Sequence, residues 1–450
     1  MRPCLLLICA VLSTPALAGE PIAAERLAAS YADLQPQLQV SGVRRGARSE
    51  TLVLTEFQVY TKDARIVLMT EQGEQELPLP KAHFYRGHWA SDPDSSVFLE
   101  VHANGEIRGI AHDHDGHWLL GKDAQGLALT EAPDSDGGFR CALDHAADMR
   151  APVVQAPAGA PGVAAPEGAL YTARLAIETD NEYLTRFSGN VTNATNYVTT
   201  LVGHMSTTYV NQLDTELQAS FVRIWSVSDP YSQTDSACGL LEFGKYWNDN
   251  MGATARTTAH MLSGKSSLSG IAWLGVLCQG AFNTGPAQVG ASCPGLAATS
   301  NYGGAYGFTS GIAGNFNPNA PSIVWDTLGV AHEIGHNFNS PHTHCYGGIG
   351  GNASPVDQCY NGEAGNAGCY SGTQQLPGGA GSGTIMSYCH LLAGGLSNVS
   401  YTFGRGHNFG VAPVRVPDRM LAHVQTQAAA FPTCFGTPAP TNLIYANGFE

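Results

Sequence analysis

Residues 332–342 read His332-Glu333-Ile334-Gly335-His336-Asn337-Phe338-Asn339-Ser340-Pro341-His342. On a helix, His332 and His336 stand four positions apart and project from one face, so both imidazoles can reach one metal ion. Glu333 sits beside the first histidine, where a carboxylate can take a proton from a polarised water. The helix must stop before His342. Asn339 tolerates the left-handed backbone that ends helices, and Pro341 forbids continuation. A turn there can bring His342 back as a third ligand. Three histidines with an open fourth position describe a catalytic zinc site, not a structural one. A chance His-Glu-x-x-His on an exposed helix is the plainer alternative.

The chain has 450 residues, enough for two or three domains, each with a proper core. Charged residues make up 13%, against roughly 25% in a typical globular protein. The formal net charge of −15 argues against a nucleic-acid or anionic-membrane partner. Arg2, an apolar run over residues 4–12 and the small-x-small triplet Ala16-Leu17-Ala18 read as a signal peptide, residues 1–18. The run is too short to span a bilayer, and no later stretch is long enough, so the sequence predicts a secreted, extracellular product beginning at Gly19. Of 11 Cys, Cys4 and Cys9 leave with that leader. Eight of the nine left lie after residue 230 and could form four disulfides, whose pairing the sequence does not choose. Cys141 stands alone, far upstream.

Residues 19–150 form one unit, with alternating patterns over 51–60, 64–70, 96–102, 107–111 and 117–120 separated by Asn104-Gly105 and Asp115-Gly116 turns. This predicts a mainly antiparallel β domain. His112, His114 and His117 alternate with Asp113 and Asp115 as a metal clip could, but an exposed hairpin turn is the favoured reading. Residues 151–169 are Ala/Pro/Gly-rich and read as an exposed linker open to proteases. Residues 170–436 alternate strands (170–178, 221–227, 271–277) with helices (192–213, 322–339 and a closing helix at 418–427), which predicts an α/β (α+β) domain. Tyr197, Leu201, Met205 and Tyr209 mark the core face of the first helix. The stretch after His342 is Gly- and Cys-rich, held more by disulfides than by a large core. His344 and His390 could bind substrate or cap local structure. Residues 437–450 are left as a C-terminal tail.

Downstream, Gly383-Thr384-Ile385-Met386-Ser387-Tyr388-Cys389 completes a resemblance. With the long histidine motif, it makes the chain resemble the metzincin zinc endopeptidases, and most closely their reprolysin-like (adamalysin) branch. The resemblance implies a metzincin catalytic domain with an active-site helix and Met-turn, preceded by a mainly β prodomain. It implies Met386 as the floor beneath the metal. It also implies Tyr388 as a switchable extra ligand able to stabilise an oxyanion, although a buried structural Tyr explains that position as well. Asn339 stands where the metzincin pattern has Gly. His260-Met-Leu-Ser-Gly and the run from Gly270 to Cys278 resemble the family's edge strand, which pairs antiparallel with an extended peptide; Gly270, Ile271, Ala272 and Trp273 would line that cleft. Phe84-Tyr-Arg-Gly-His88, the run from Asp92 to Leu99, and Gly105-Glu-Ile-Arg-Gly109 resemble the family's propeptide. Phe139-Arg-Cys-Ala-Leu-Asp144 resembles the latency segment of matrix metalloproteases, which assigns Cys141 as a latency ligand to zinc; a mispaired or intermolecular disulfide is the other reading.

The resulting expectation is a secreted zinc endopeptidase made as a latent zymogen. It would hydrolyse peptide bonds of extracellular proteins with zinc-activated water. One catalytic Zn2+ would sit on His332, His336 and His342, with Glu333 as general base and acid. Its partners would be extended peptide or protein substrates and its own prodomain, with no nucleic acid and no membrane span. A structural Ca2+ finds no support in the sequence. The rivals are a secreted zinc-binding or adhesive protein without peptidase activity, and a zinc hydrolase acting on a non-peptide substrate.

Overall fold

A computed structural model describes residues 21–114, 116–123, 125–132, 138–142, 170–317 and 322–439. The leader 1–18, Gly19, Asp115, Asp144, the linker 151–169 and the tail beyond 439 lie outside the described residues. The first strands are β1 (Ile22–Ala23), β2 (Gln37–Arg45), β3 (Arg48–Phe57), β4 (Tyr60–Thr70) and β5 (Gly73–Leu77). Then come β6 (Ala82–Trp89), β7 (Asp92–His102), β8 (Ile107–Asp113), β9 (Gly116–Asp123), β10 (Gly126–Glu131) and β11 (Arg140–Cys141).

Strands β2, β10, β9, β8, β7, β6 and β3 pair in that order, and β3 returns to β2, so the seven close on themselves. Leu38, Val40, Leu52, Leu54, Val97, Leu99 and Leu120 fill the interior. Their neighbours Phe98, Ile110 and Leu119 point outward into a different core. Because the barrel is covered on that side, 97–99 is apolar on both faces and shows no alternation.

The second half contains β12 (Leu170–Thr179), α1 (Asn181–Arg186), α2 (Val191–Leu213), β13 (Thr215–Trp225), α3 (Ser236–Asn250), β14 (Thr258–Leu262) and β15 (Ser269–Ala272). β16 (Phe282–Thr284), β17 (Ser300–Gly303), β18 (Tyr306–Ser310), α4 (Ser322–Asn337), α5 (Arg415–Ala430) and β19 (Phe435–Ala439) complete it. Mixed α/β content after a mainly β region is as expected. Three expectations are corrected. Strand β13 begins at Thr215, and β15 is shorter than 271–277, turning away after Ala272. The first tail residues form β19, which pairs antiparallel with β12.

The main sheet runs β11-β15-β18-β14-β12-β13-β4-β5. Its last two strands come from the N-terminal region: β4 pairs in parallel with β13, from Ala219↔Tyr60 to Trp225↔Met69. The described residues of 19–150 are thus divided between two sheets. They donate a hairpin to the neighbouring sheet.

Helix α2 explains the join. Tyr197, Leu201, Met205 and Tyr209 are buried in the main core, as their spacing predicts. Its opposite, polar face is also covered, by the barrel and by Tyr60 of β4. There Tyr60 bonds Thr199, Thr200 Oγ1 donates to Glu100 at 2.8 Å, and a Cβ on Gly203 would lie 2.5 Å from the Phe98 ring. The expected exposed histidine turn is corrected here as well. His114 is exposed, whereas His112 and His117 are buried against His204 of α2 and Tyr401.

These three rings form a neutral chain. His117 Nε2 donates to the Val399 carbonyl at 2.8 Å, His112 Nδ1 then donates to His117 Nδ1 at 2.6 Å, and His204 Nε2 to His112 Nε2 at 2.6 Å. One proton per ring satisfies the chain, and an added proton finds no acceptor. Burial, reinforced by His117, pushes His204 down to about 3, and burial holds His112 well below its ordinary value. The folded state therefore binds fewer protons than the unfolded one below pH 6.5. Stability is full above that pH and is lost as pH falls toward 3, by up to about 1.4 kcal/mol per pH unit per histidine. Chemical denaturation of the full chain from pH 7 to pH 4 should show this slope, and His204→Gln should reduce it.

Candidate metal centre

Helix α4 carries His332, Glu333 and His336, all buried. It ends at Asn337, two residues short of the expected limit of 339. Asn339 takes φ +77°, its N–H bonds the His336 carbonyl at 2.8 Å, and the Ser340 N–H bonds the Gly335 carbonyl at 3.1 Å. This is a Schellman turn with Asn in the glycine position. Arg419 of α5 donates to the Asn339 carbonyl at 2.6 Å and to its Oδ1 at 2.9 Å, which holds the side chain in place. Gly275 leaves room for it, since a Cβ there would lie 2.9 Å from Asn339 Oδ1.

The turn returns His342 beside the other two rings, with ring centroids 5.2 Å from His332 and 4.9 Å from His336. Each Nδ1 is fixed by an acceptor. His332 donates to the Ile385 carbonyl at 2.7 Å, His336 to the Ser340 carbonyl at 2.7 Å, and His342 to Glu363 Oε2 at 3.0 Å. Every Nε2 is thereby left as a lone pair. Those of His332 and His336 face each other at 3.1 Å, and that of His342 is buried with no hydrogen-bond partner among the described residues. Lone pairs converging in a dry site repel unless a cation lies among them, so this donor set fits zinc. Burial, followed by the neighbouring histidines, holds His332 well below its ordinary value and His336 at about 3. Both are neutral, as ligands must be.

Cys141 completes the group. Its Sγ lies 3.5 Å from His336 Nε2, and the four donor atoms of Cys141, His332, His336 and His342 all lie within 4.8 Å of one another. Strand β11 brings it there by pairing in parallel with β15, Cys141 opposite Gly270. Three further contacts hold the segment. The Tyr388 hydroxyl donates to the Cys141 carbonyl at 2.9 Å, His390 Nε2 donates to the Phe139 carbonyl at 3.1 Å, and the Phe139 ring packs on His332 at 5.4 Å. Among the described residues Cys141 is in no disulfide, and the other eight cysteines pair as Cys238–Cys293, Cys278–Cys434, Cys345–Cys369 and Cys359–Cys389.

Glu333 lies against β15. A Cβ on Gly270 would come within 2.3 Å of Glu333 Oε1, so only glycine fits there. Burial pushes the Glu333 carboxyl well above its ordinary range; the nearby Cys141 thiol only partly offsets this, and neither oxygen makes a well-formed hydrogen bond. Ile271, Ala272 and Trp273 are buried with β11 lying along β15. Met386 is fully buried below the helix; a Cβ on Gly335 would lie 2.5 Å from its Sδ. The Tyr388 ring packs 4.4 Å from His342.

Glu363 escapes sequence reasoning. Burial alone would raise its carboxyl, but His342 and His344 outweigh this and hold it well below its ordinary range. One signal was available. Between His342 and Arg405 the only Asp, Glu, Lys or Arg residues are Asp357 and Glu363.

Asn339→Gly keeps the turn and should lower the unfolding free energy by less than about 1 kcal/mol, whereas Asn339→Val should cost about 2 kcal/mol, because a β-branched residue resists this backbone. Urea denaturation of both variants checks the difference.

Residues 169–400, just over half of the chain, match Reprolysin_5, metallo-peptidase family M12. No curated protein matches. Among solved structures, metalloproteinase-II from Bacteroides fragilis aligns over 71% of this chain and 86% of its own, at 10% identity and a TM-score of 0.33. With three histidines of the expected motif gathered inside the matched region, the chain belongs to the reprolysin-like metallopeptidases of family M12.

Proposed function

We propose that the protein is a secreted zinc endopeptidase held latent by its own N-terminal region. The observation that carries this reading is the meeting of Cys141 Sγ with the Nε2 atoms of three histidines inside a buried site. Four disulfides suit an oxidising compartment. Among the described residues, no helix is long and apolar enough to cross a membrane.

His332, His336 and His342 would hold one zinc ion, which when bound supplies the Lewis acidity for hydrolysing a peptide bond. Glu333 is the proton carrier: it takes a proton from the attacking water and returns it to the leaving nitrogen. Burial, which raises its carboxyl, suits a group that must hold a proton between taking it up and giving it back. Tyr388 spends its hydroxyl on the Cys141 carbonyl while the N-terminal region is in place. Once that segment leaves, the hydroxyl can donate to the developing oxyanion. Met386 is the floor on which the histidine helix rests.

The seat of β11 supports latency over digestion. It lies along β15 in the parallel sense. An extended substrate pairing antiparallel with β15 would run the opposite way, so the segment fills the cleft without offering a peptide bond in the substrate direction. Phe139 and Cys141 together fill both the apolar space beside His332 and the open side of the histidine cluster. The activation cut belongs to the same proposal, with cleavage between residues 142 and 170.

Casein hydrolysis, with and without a chelator, tests the activity. Glu333→Gln should keep its zinc, measured by atomic absorption, and lose about 10²–10⁴-fold in rate. A variant as active as wild type would sink the assignment. Cys141→Ala in the uncut chain should cleave casein measurably where the uncut wild type does not. Unbroken latency in that variant argues against the thiol as the block.

A further inference from the structure

The three histidines are not held alike. His332 and His336 sit on one rigid helix, and their Nδ1 atoms donate to backbone carbonyls that the fold fixes. His342 lies beyond the helix, at the start of a single 3-10 turn. Its Nδ1 donates instead to a side chain, Glu363 Oε2, 21 residues away. The same oxygen accepts from His344 Nε2 at 2.5 Å. Glu363 is 3% exposed, and the two imidazoles stack nearly parallel, with centroids 5.2 Å apart and planes 19° apart.

The carboxylate is itself clamped. It lies in the loop closed by Cys345–Cys369, directly after His344. The Tyr370 N–H bonds the His344 carbonyl at 2.8 Å and the Gly347 N–H the Gly368 carbonyl at 2.9 Å, tying the two ends of the loop together. The Asn366 N–H bonds the Glu363 carbonyl at 2.8 Å, fixing the backbone that carries the side chain.

We propose that Glu363 is the positioning residue for His342, with His344 and the Cys345–Cys369 loop holding it in register, so that zinc retention depends on a disulfide-bounded loop outside the histidine motif. This rests on the zinc reading above. The physical reason is specific to this ligand. A ring on an irregular segment can rotate about χ2 and present either nitrogen. An anion on Nδ1 fixes the tautomer and ring plane and makes Nε2 a stronger donor. His344 removes the remaining freedom of Glu363 by occupying the same oxygen from the other side. Neither residue needs to touch substrate.

The test uses the full chain, with zinc as the probe and chelator competition as the readout. Glu363→Gln should weaken zinc binding about 10–100-fold. It should also shrink the rise in melting temperature that zinc causes, leaving the zinc-free melting temperature close to wild type. Zinc affinity within about twofold of wild type overturns the assignment, as does a fall in zinc-free stability with unchanged affinity, which is the mark of a merely structural role. If Glu363→Gln does not fold, His344→Gln carries the test, with several-fold weaker zinc expected and unchanged affinity overturning it. Replacing Cys345 and Cys369 together by Ala should weaken zinc by an amount that does not add to the Glu363→Gln loss; full additivity overturns the coupling through the loop. A wild-type chain that retains no zinc sinks the metal reading and this assignment with it, whereas zinc in wild type with an unaffected variant sinks this assignment alone.

Discussion

The site depends on how one helix stops. Helix α4 must deliver two imidazoles from its face, reverse within two residues, and return a third to the same point. Asn339 makes this possible by accepting a left-handed backbone and by giving its carbonyl and side chain to Arg419. Gly275 yields the space, and its N–H donates to the His336 carbonyl at 2.9 Å. A helix end buried this deeply satisfies its last carbonyls from within the protein. The reversal, the satisfied carbonyls and the convergence of the three rings are one arrangement. Asn in place of Gly costs little here because its side chain has a partner.

Much of this was legible in the residues. The four-residue spacing of His332 and His336 and the Asn339–Pro341 stop specify the helix and its end without reference to the rest of the chain. The core stripe of α2 and the odd cysteine count were readable for the same reason, since both are local or arithmetic facts. What escaped was set by partners distant in sequence. The polar side of α2 looks like a solvent face until the barrel is laid on it. His112 and His117 look like turn residues until His204, about ninety positions later, meets them. Glu363 carries no local pattern; its meaning comes from the disulfide that folds it back under His342. Gly270 reads as an ordinary strand glycine, and only the depth of Glu333 shows why a methyl group is excluded.

The two halves of the molecule share an apolar core through Phe98, Ile110 and Leu119, and meet through polar groups as well. Helix α2 presents threonines, a glycine and a histidine to the N-terminal region, which answers with Tyr60 from β4 and with Glu100, Phe98 and His112 from the barrel. Most of these can be hydrated singly at modest cost, unlike the aliphatic interior of either half. At the other end of the main sheet the join is of another kind. There β4 lies in the sheet as a strand among strands, its backbone bonded to β13 and to β5.

That inserted hairpin separates two events usually taken as one. Severing the chain between residues 142 and 170 breaks a covalent tether but leaves the β4–β13 ladder zipped. The N-terminal region then dissociates only by stripping a strand from a sheet, a step whose rate follows the cooperativity of the ladder and not the protease that made the cut. A nicked molecule is therefore a two-chain complex with its own lifetime, and the strand it leaves behind, β13, becomes a bare sheet edge able to take another extended chain.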